Sequence, residues 1–213
     1  MDDRIPRYIA IEGPIGVGKT TLVEAFSQRM NARVLLEQFE DNPFLPKFYR
    51  DKERFSFPTE VFFLLSRFRQ QEHFLQADLF HQYTISDYLF SKCRLFASLT
   101  LDTHELTLFE QIYQVLERSI PKPDLVIHLY APVEVLLARI AQRDRSYERD
   151  IEASYLEQLA QLYVQEFSKN KTPRTISIDT TRIDFRKSEN ISILMELIAS
   201  GAEGWLDSEL FIK

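Results

Sequence analysis

Residues 13 to 20 read GPIGVGKT, a complete G-x-x-x-x-G-K-[ST] octapeptide. It follows a short β-branched run at residues 8–11 and leads directly into a helical pattern over 19–30. A strand that turns on glycines into a helix N-terminus aims successive backbone amides at one point, and that point suits an anion. Gly13, Gly16 and Gly18 supply the bend, Lys19 is placed to reach β and γ phosphates, and Thr20 can ligate Mg²⁺. A chance glycine turn is the plain alternative. Three of the chain's five glycines fall in these eight residues, in the strand-to-helix setting the motif requires, so the phosphate cradle is the stronger reading. It predicts contacts to a nucleotide cofactor, ATP, from Gly13, Pro14, Ile15, Gly16, Val17, Gly18, Lys19, Thr20 and Thr21.

The rest of the chain repeats the strand-then-helix rhythm. Apolar β-branched runs at 8–11, 34–36, 83–86, 125–130 and 175–178 alternate with helical patterns at 19–30, 59–76, 105–119, 133–141, 152–167 and 189–199. Pro58 is read as a helix start and Pro121-Lys122-Pro123 as a stop. This alternation predicts an α/β fold, a five-stranded parallel sheet flanked by helices, as one domain over 1–213. Right-handed crossovers then bring all carboxyl ends of the strands to one edge, where open α/β sheets bind ligands. The terminal GWLDSELFIK is expected to dock on the body, with no role assigned.

Composition removes several classes. A net charge of −6 argues against a nucleic-acid polymer as partner, since that binding neutralises phosphates with Lys and Arg. No window has the roughly 18 apolar residues of a membrane span, and the first residues lack a signal-peptide core, so the expected compartment is the cytoplasm. The lone Cys93 allows no internal disulfide and is read as a buried neutral thiol.

Two further features suggest phosphoryl transfer. Arg139, Arg143, Arg145 and Arg149 fall within eleven residues at a helix end and loop, a grouping that suits an Arg-rich lid at about 143–150 closing over polyphosphate. A solvated helix face, balanced by Asp144, Glu148 and Asp150, is the bland alternative. Glu37 ends the second strand on the ligand-binding edge and could take a proton from an acceptor hydroxyl; Glu40 and Asp41 are alternatives in the same turn.

Taken in order, EGPIGVGKT at 12–20, LLEQFEDNPFLPKFY at 35–49, FFLLSRFRQQ at 62–71, PKPDLVIHL at 121–129 and RIAQRDRSYERDIEASYLEQL at 139–159 resemble the deoxynucleoside kinase family, above all its bacterial deoxyguanosine and deoxyadenosine kinases. The resemblance implies ATP-dependent 5′-phosphorylation of a deoxynucleoside, with Mg²⁺. It implies Glu37 as base, Tyr49 and Glu148 on the sugar 3′-hydroxyl, Arg143 and Arg145 as phosphate clamp, and Arg139 as a further basic contact. Family members carry an acid-Arg-Ser triplet after the third strand. Here Ser86-Asp87-Tyr88 lacks the arginine, leaving Asp87 for the Mg²⁺ side and the lid arginines for charge. The base-reading pair, usually Gln and Arg seven residues apart, is Glu60 and Arg67, with Phe96 and Phe63 able to flank the base and Lys92 where pyrimidine enzymes often have Asp. A carboxylate that only accepts hydrogen bonds suits guanine N1–H and N2–H, so deoxyguanosine is favoured and deoxyadenosine comes next. Surplus apolar side chains on helices 59–76 and 105–119, including Phe62, Phe63, Phe68, Phe74, Leu108 and Tyr113, suggest a homodimer. Rival readings are a thymidylate-type monophosphate kinase, which would place cations rather than Glu37 at the acceptor, and a non-catalytic nucleotide-sensing module.

Overall fold

A computed structural model describes residues 5–74, 80–145, 148–169 and 173–211. Six parallel strands, β1 (Tyr8–Glu12), β2 (Arg33–Leu35), β3 (Thr84–Ser86), β4 (Leu125–Tyr130), β5 (Arg174–Asp179) and β6 (Gly204–Leu206), form one sheet in the order β2-β3-β1-β4-β5-β6. The expected strands are all present, but the sheet has six rather than five. The additional strand comes from the C-terminal GWLDSELFIK stretch, with Trp205 opposite Ser177 and its indole edge-on to Tyr130 at 4.8 Å. Three residues beginning with glycine carry no alternation of their own; the exposed edge of β5 makes them a strand.

Among the described residues, eight helices cover the sheet and the region beyond β2: α1 (Lys19–Met30), α2 (Leu45–Phe48), α3 (Lys52–Phe74), α4 (Lys92–Thr100), α5 (Thr103–Glu117), α6 (Val133–Arg143), α7 (Ala153–Lys169) and α8 (Ser188–Ala199). α3 starts at Lys52, so Pro58 lies inside it and does not open it. The carbonyl that Pro58 leaves without a helical donor belongs to exposed Arg54, where water can serve. α5 opens two residues earlier than its apolar pattern because Asp102 forms a capping box with Glu105. The short α2 and α4 were not legible as helices. The expected helix end at Gln76, the side chain of Phe74, and the lid residues Ser146 and Tyr147 lie outside the described residues.

The main core fills the space around β1, β4 and β5, whose central residues are fully buried. A second cluster, Leu64, Phe90, Cys93, Ala97, Phe109 and Tyr113, fastens α3, α4 and α5 together beside the sheet. Tyr113 and Phe68 belong to this cluster, whereas Leu108 is exposed. Because every pairing is parallel, the residues following β1, β2 and β3 meet at one sheet edge, and α3 and α4 wall the space above it.

Candidate active site

The cradle after β1 is built to close tolerance. A Cβ on Gly13, whose φ is 148°, would lie 2.2 Å from the carbonyl oxygen of Leu129. Gly18 meets nothing within 4 Å but stands at φ 103° as the N-cap of α1, a backbone that other residues adopt only with strain. Lys19 Nζ donates to the carbonyls of Gly13 (2.7 Å) and Pro14 (3.1 Å), curling the loop around its own ammonium. Burial, followed by repulsion from Lys92, lowers that ammonium to about 8. Sequence reasoning missed Glu12, which anchors the same loop. Buried at the end of β1, it accepts from the Gly13 amide (2.9 Å), the Leu89 amide (2.7 Å) and the Tyr163 hydroxyl (2.9 Å). An acid closing the otherwise apolar YIAIE was the available signal.

Glu37 leaves β2 and turns inward. Its Oε1 accepts from Arg67 Nε at 2.8 Å and from Arg67 Nη2, and its Oε2 accepts from Lys92 Nζ at 2.7 Å. The Glu37 amide donates to Asp87 Oδ1 at 2.7 Å, joining the ends of β2 and β3. Burial alone would raise the Glu37 carboxyl, but Arg67 and Lys92 outweigh it and hold the group well below the usual carboxylate range. Asp87 moves the other way, raised by burial and then by Glu37. Glu40 and Asp41 are exposed on a single 3₁₀ turn and do not reach this space.

One cavity gathers Glu37, Tyr49, Glu60, Arg67, Asp87, Lys92, Phe96 and Glu148, together with Phe63. Glu60 is fully enclosed, bonded by Thr100 Oγ1 at 3.1 Å, and burial pushes it up to about 7. Glu60 and Arg67 share the cavity, as the family resemblance implies, yet no bond joins them; the guanidinium of Arg67 goes to Glu37 and, through Nη1, to Cys93 Sγ at 2.9 Å. Cys93 is buried, as expected. Thr59 Oγ1, on the same wall, is buried with no hydrogen-bond partner among the described residues.

The arginines divide by role. Arg143 Nη2 lies 2.6 Å from both carboxylate oxygens of buried Glu148, and Arg145 lies 3.5 Å from the same group with its guanidinium 4.2 Å above the Phe39 ring. Arg149 instead pairs with Asp144 in solvent, as the solvated-face reading has it. Arg139 ties the cradle to the turn after β5, donating to the Val17 carbonyl and to Thr180.

A second groove runs along the outside of the cradle, walled by Val17, Gly18, Thr21, Arg139 and residues 180–186. Five residues line both spaces: Gly16, Lys19, Thr20, Arg143 and Arg145. Ile15 faces the first cavity alone, while Gly13 and Pro14 line neither and act by shaping the loop.

The family model for deoxynucleoside kinases matches residues 9–200. The chain belongs to the deoxynucleoside kinase family. Membership sets aside the monophosphate-kinase and sensing-module readings. This deoxynucleoside kinase is 41% identical over 192 residues to the deoxyguanosine kinase of Bacillus subtilis, covering 85% of this chain and 91% of that one. It is 30% identical over 211 residues to the deoxyadenosine/deoxycytidine kinase of the same organism, covering 93% and 95%. The structure of a deoxyadenosine kinase from M. mycoides with bound dCTP has the same fold, with a TM-score of 0.78 at 24% identity over 91% of this chain and 99% of that chain.

Proposed function

We propose that the protein transfers the γ-phosphoryl group of ATP to the 5′-hydroxyl of a deoxynucleoside, with deoxyguanosine the favoured acceptor. The observation that carries this reading is the pair of spaces meeting at Gly16, Lys19, Thr20, Arg143 and Arg145. A triphosphate in the outer groove and a nucleoside in the inner cavity would touch only there, where the amides, the lysine and two arginines converge.

In the inner cavity Glu37 takes the proton of the 5′-hydroxyl as that oxygen bonds to the γ-phosphorus and the bond to the β–γ bridging oxygen breaks, leaving ADP. Lys19 and the two lid arginines draw the equatorial oxygens together. Thr20 at the junction and Asp87 on the inner cavity offer hard oxygen donors, a fit for Mg²⁺, which would neutralise charge on the phosphate oxygens. Tyr49 and Glu148 line the same wall and hold the 3′-hydroxyl; a ribose 2′-hydroxyl would crowd Tyr49.

Glu60 as an acceptor meets N1–H and N2–H of guanine, with Arg67 on O6 and Phe63 and Phe96 against the ring. The 41% identity to a deoxyguanosine kinase supports that order of preference, while similarity to a deoxyadenosine/deoxycytidine kinase keeps deoxyadenosine as the second reading. No described helix is long and apolar enough to cross a membrane, consistent with work on small nucleosides in the cytoplasm. Exposed Leu108 and Val115, seven residues apart on α5, offer an apolar strip for a homodimer.

Steady-state phosphorylation with Mg·ATP across the four deoxynucleosides and dTMP tests the whole. Preference for deoxyguanosine is the expected result, and Glu37→Gln should lower turnover by about 10²–10⁴-fold. Activity confined to dTMP, or to none of them, would overturn the assignment.

A further inference from the structure

We infer that Lys92 is a second catalytic cation of the transfer step, one that follows the negative charge from Glu37 to the phosphoryl group. The inference rests on the phosphotransfer reading above. Lys92 stands at the first residue of α4, is 5% exposed, and lies on the inner cavity with Lys19 and Asp87. Among the described residues, Glu37 Oε2 at 2.7 Å is the one acceptor within its hydrogen-bond reach; its ammonium also sits 5.5 Å from the centre of the Phe96 ring.

Neutralising Glu37 does not require this lysine. Arg67 already supplies one full positive charge, gripping Oε1 with two nitrogens, and Lys92 adds a second at Oε2. Bringing a lysine out of water as well is costly unless its charge is needed. Arg67 is tethered elsewhere too, through Nη1 to Cys93 Sγ, whereas among the described residues Lys92 has no second hydrogen-bond acceptor to hold it back. The chain also has no arginine beside Asp87, so α4 rather than the loop after β3 supplies the cation at this edge.

The chemistry gives Lys92 its use. When the 5′-hydroxyl hands its proton to Glu37, the carboxylate becomes neutral and Lys92 loses its anion. At that moment the former hydroxyl oxygen bonds to phosphorus and the departing γ-phosphoryl brings negative oxygens to the same place. The ammonium can swing from Oε2 to a phosphoryl oxygen without leaving the cavity. Lys92 lines the same cavity as Lys19, close enough for the two like charges to act on each other, so both cations face the space where the phosphoryl group passes.

Intact wild type, K92M, K92R and K92A are compared in steady-state assays with Mg·ATP and deoxyguanosine, and by calorimetric titration with deoxyguanosine and with dGMP. Expected for K92M are a fall in kcat of at least about 100-fold, a deoxyguanosine Kd within about threefold of wild type, and a dGMP Kd weakened at least about tenfold. Ethylammonium should restore turnover to K92A in a saturable manner, and K92R should keep at least about a tenth of wild-type kcat. Parallel loss of deoxyguanosine and dGMP affinity, a K92M kcat within about threefold of wild type, or no amine effect on K92A would each overturn the inference. If K92M does not fold, K92A decides by the same split between nucleoside and monophosphate, with ethylammonium restoring the monophosphate affinity. Wild type inert on every deoxynucleoside overturns the phosphotransfer reading and this inference with it, whereas an active wild type with an unaffected K92M removes only the role of Lys92.

Discussion

Arg67 and Glu37, thirty residues apart in sequence, form a buried ion pair in which Arg67 Nε stands 2.8 Å from Glu37 Oε1. Removing the guanidinium strands part of a buried negative charge that Lys92 alone must then hold. Arg67→Met should therefore lower unfolding free energy by roughly 3 kcal/mol, and pairing it with Glu37→Gln should cost less than the two changes summed. Urea unfolding of the four proteins of that cycle checks this. Strict additivity would show that the two side chains do not stabilise each other.

Glu60 gives stability a pH signature. Its carboxyl titrates at about 7 in the folded chain against an ordinary value of 4.5, because burial disfavours the charge. Between those values the folded state holds a proton that the unfolded state has released, so stability falls as pH rises through the window, by on the order of 3 kcal/mol. Glu60→Gln should flatten that slope. Unfolding curves at pH 5, 6, 7 and 8 that run parallel for the two proteins would sink the assignment.

Thr59 carries a buried hydroxyl with no protein partner among the described residues, on the wall of the inner cavity. Thr59→Val removes that unmet polar atom at nearly constant shape. The free protein should gain about 1 kcal/mol, while deoxyguanosine should bind roughly five- to tenfold more weakly if the hydroxyl serves the nucleoside. Thermal melts and a binding titration read the two effects separately.

Two glycines of the cradle should fail in different ways. Gly13→Ala drives a methyl to 2.2 Å from a backbone oxygen that cannot yield, so little folded protein is expected. Gly18→Ala meets open space and faces only the strain of φ 103°, on the order of 1–3 kcal/mol. Soluble yield and melting temperature distinguish them; equal tolerance of both changes would contradict the packing around Leu129.

The cradle and the parallel sheet were legible because each is written locally, as a complete octapeptide and as repeated apolar runs, whereas Glu37 stood beside Glu40 and Asp41 on spacing alone and was singled out by the family resemblance. Glu12 and Lys92 were not legible, since their meaning depends on which distant groups fold against them. The resemblance placed Lys92 only where pyrimidine enzymes often carry Asp; its bond to Glu37, fifty-five positions away, exists once α4 has folded against β2 and β3. Arg67 was placed in the correct cavity, but its bond to Glu37 rather than to a neighbour on its own helix is a tertiary fact. β6 escaped for a related reason, being a strand only by virtue of the edge it joins.

The wall common to the two spaces limits how such an enzyme can diverge. Any substitution at Gly16, Lys19, Thr20, Arg143 or Arg145 is felt on both sides at once. With the acceptor in the inner cavity and ATP in the outer groove, as proposed above, a lineage exploring new acceptors would draft its variation at Tyr49, Glu60 and Phe96, and one exploring new donors at residues 180–186. The two specificities can drift independently around a centre that is held still.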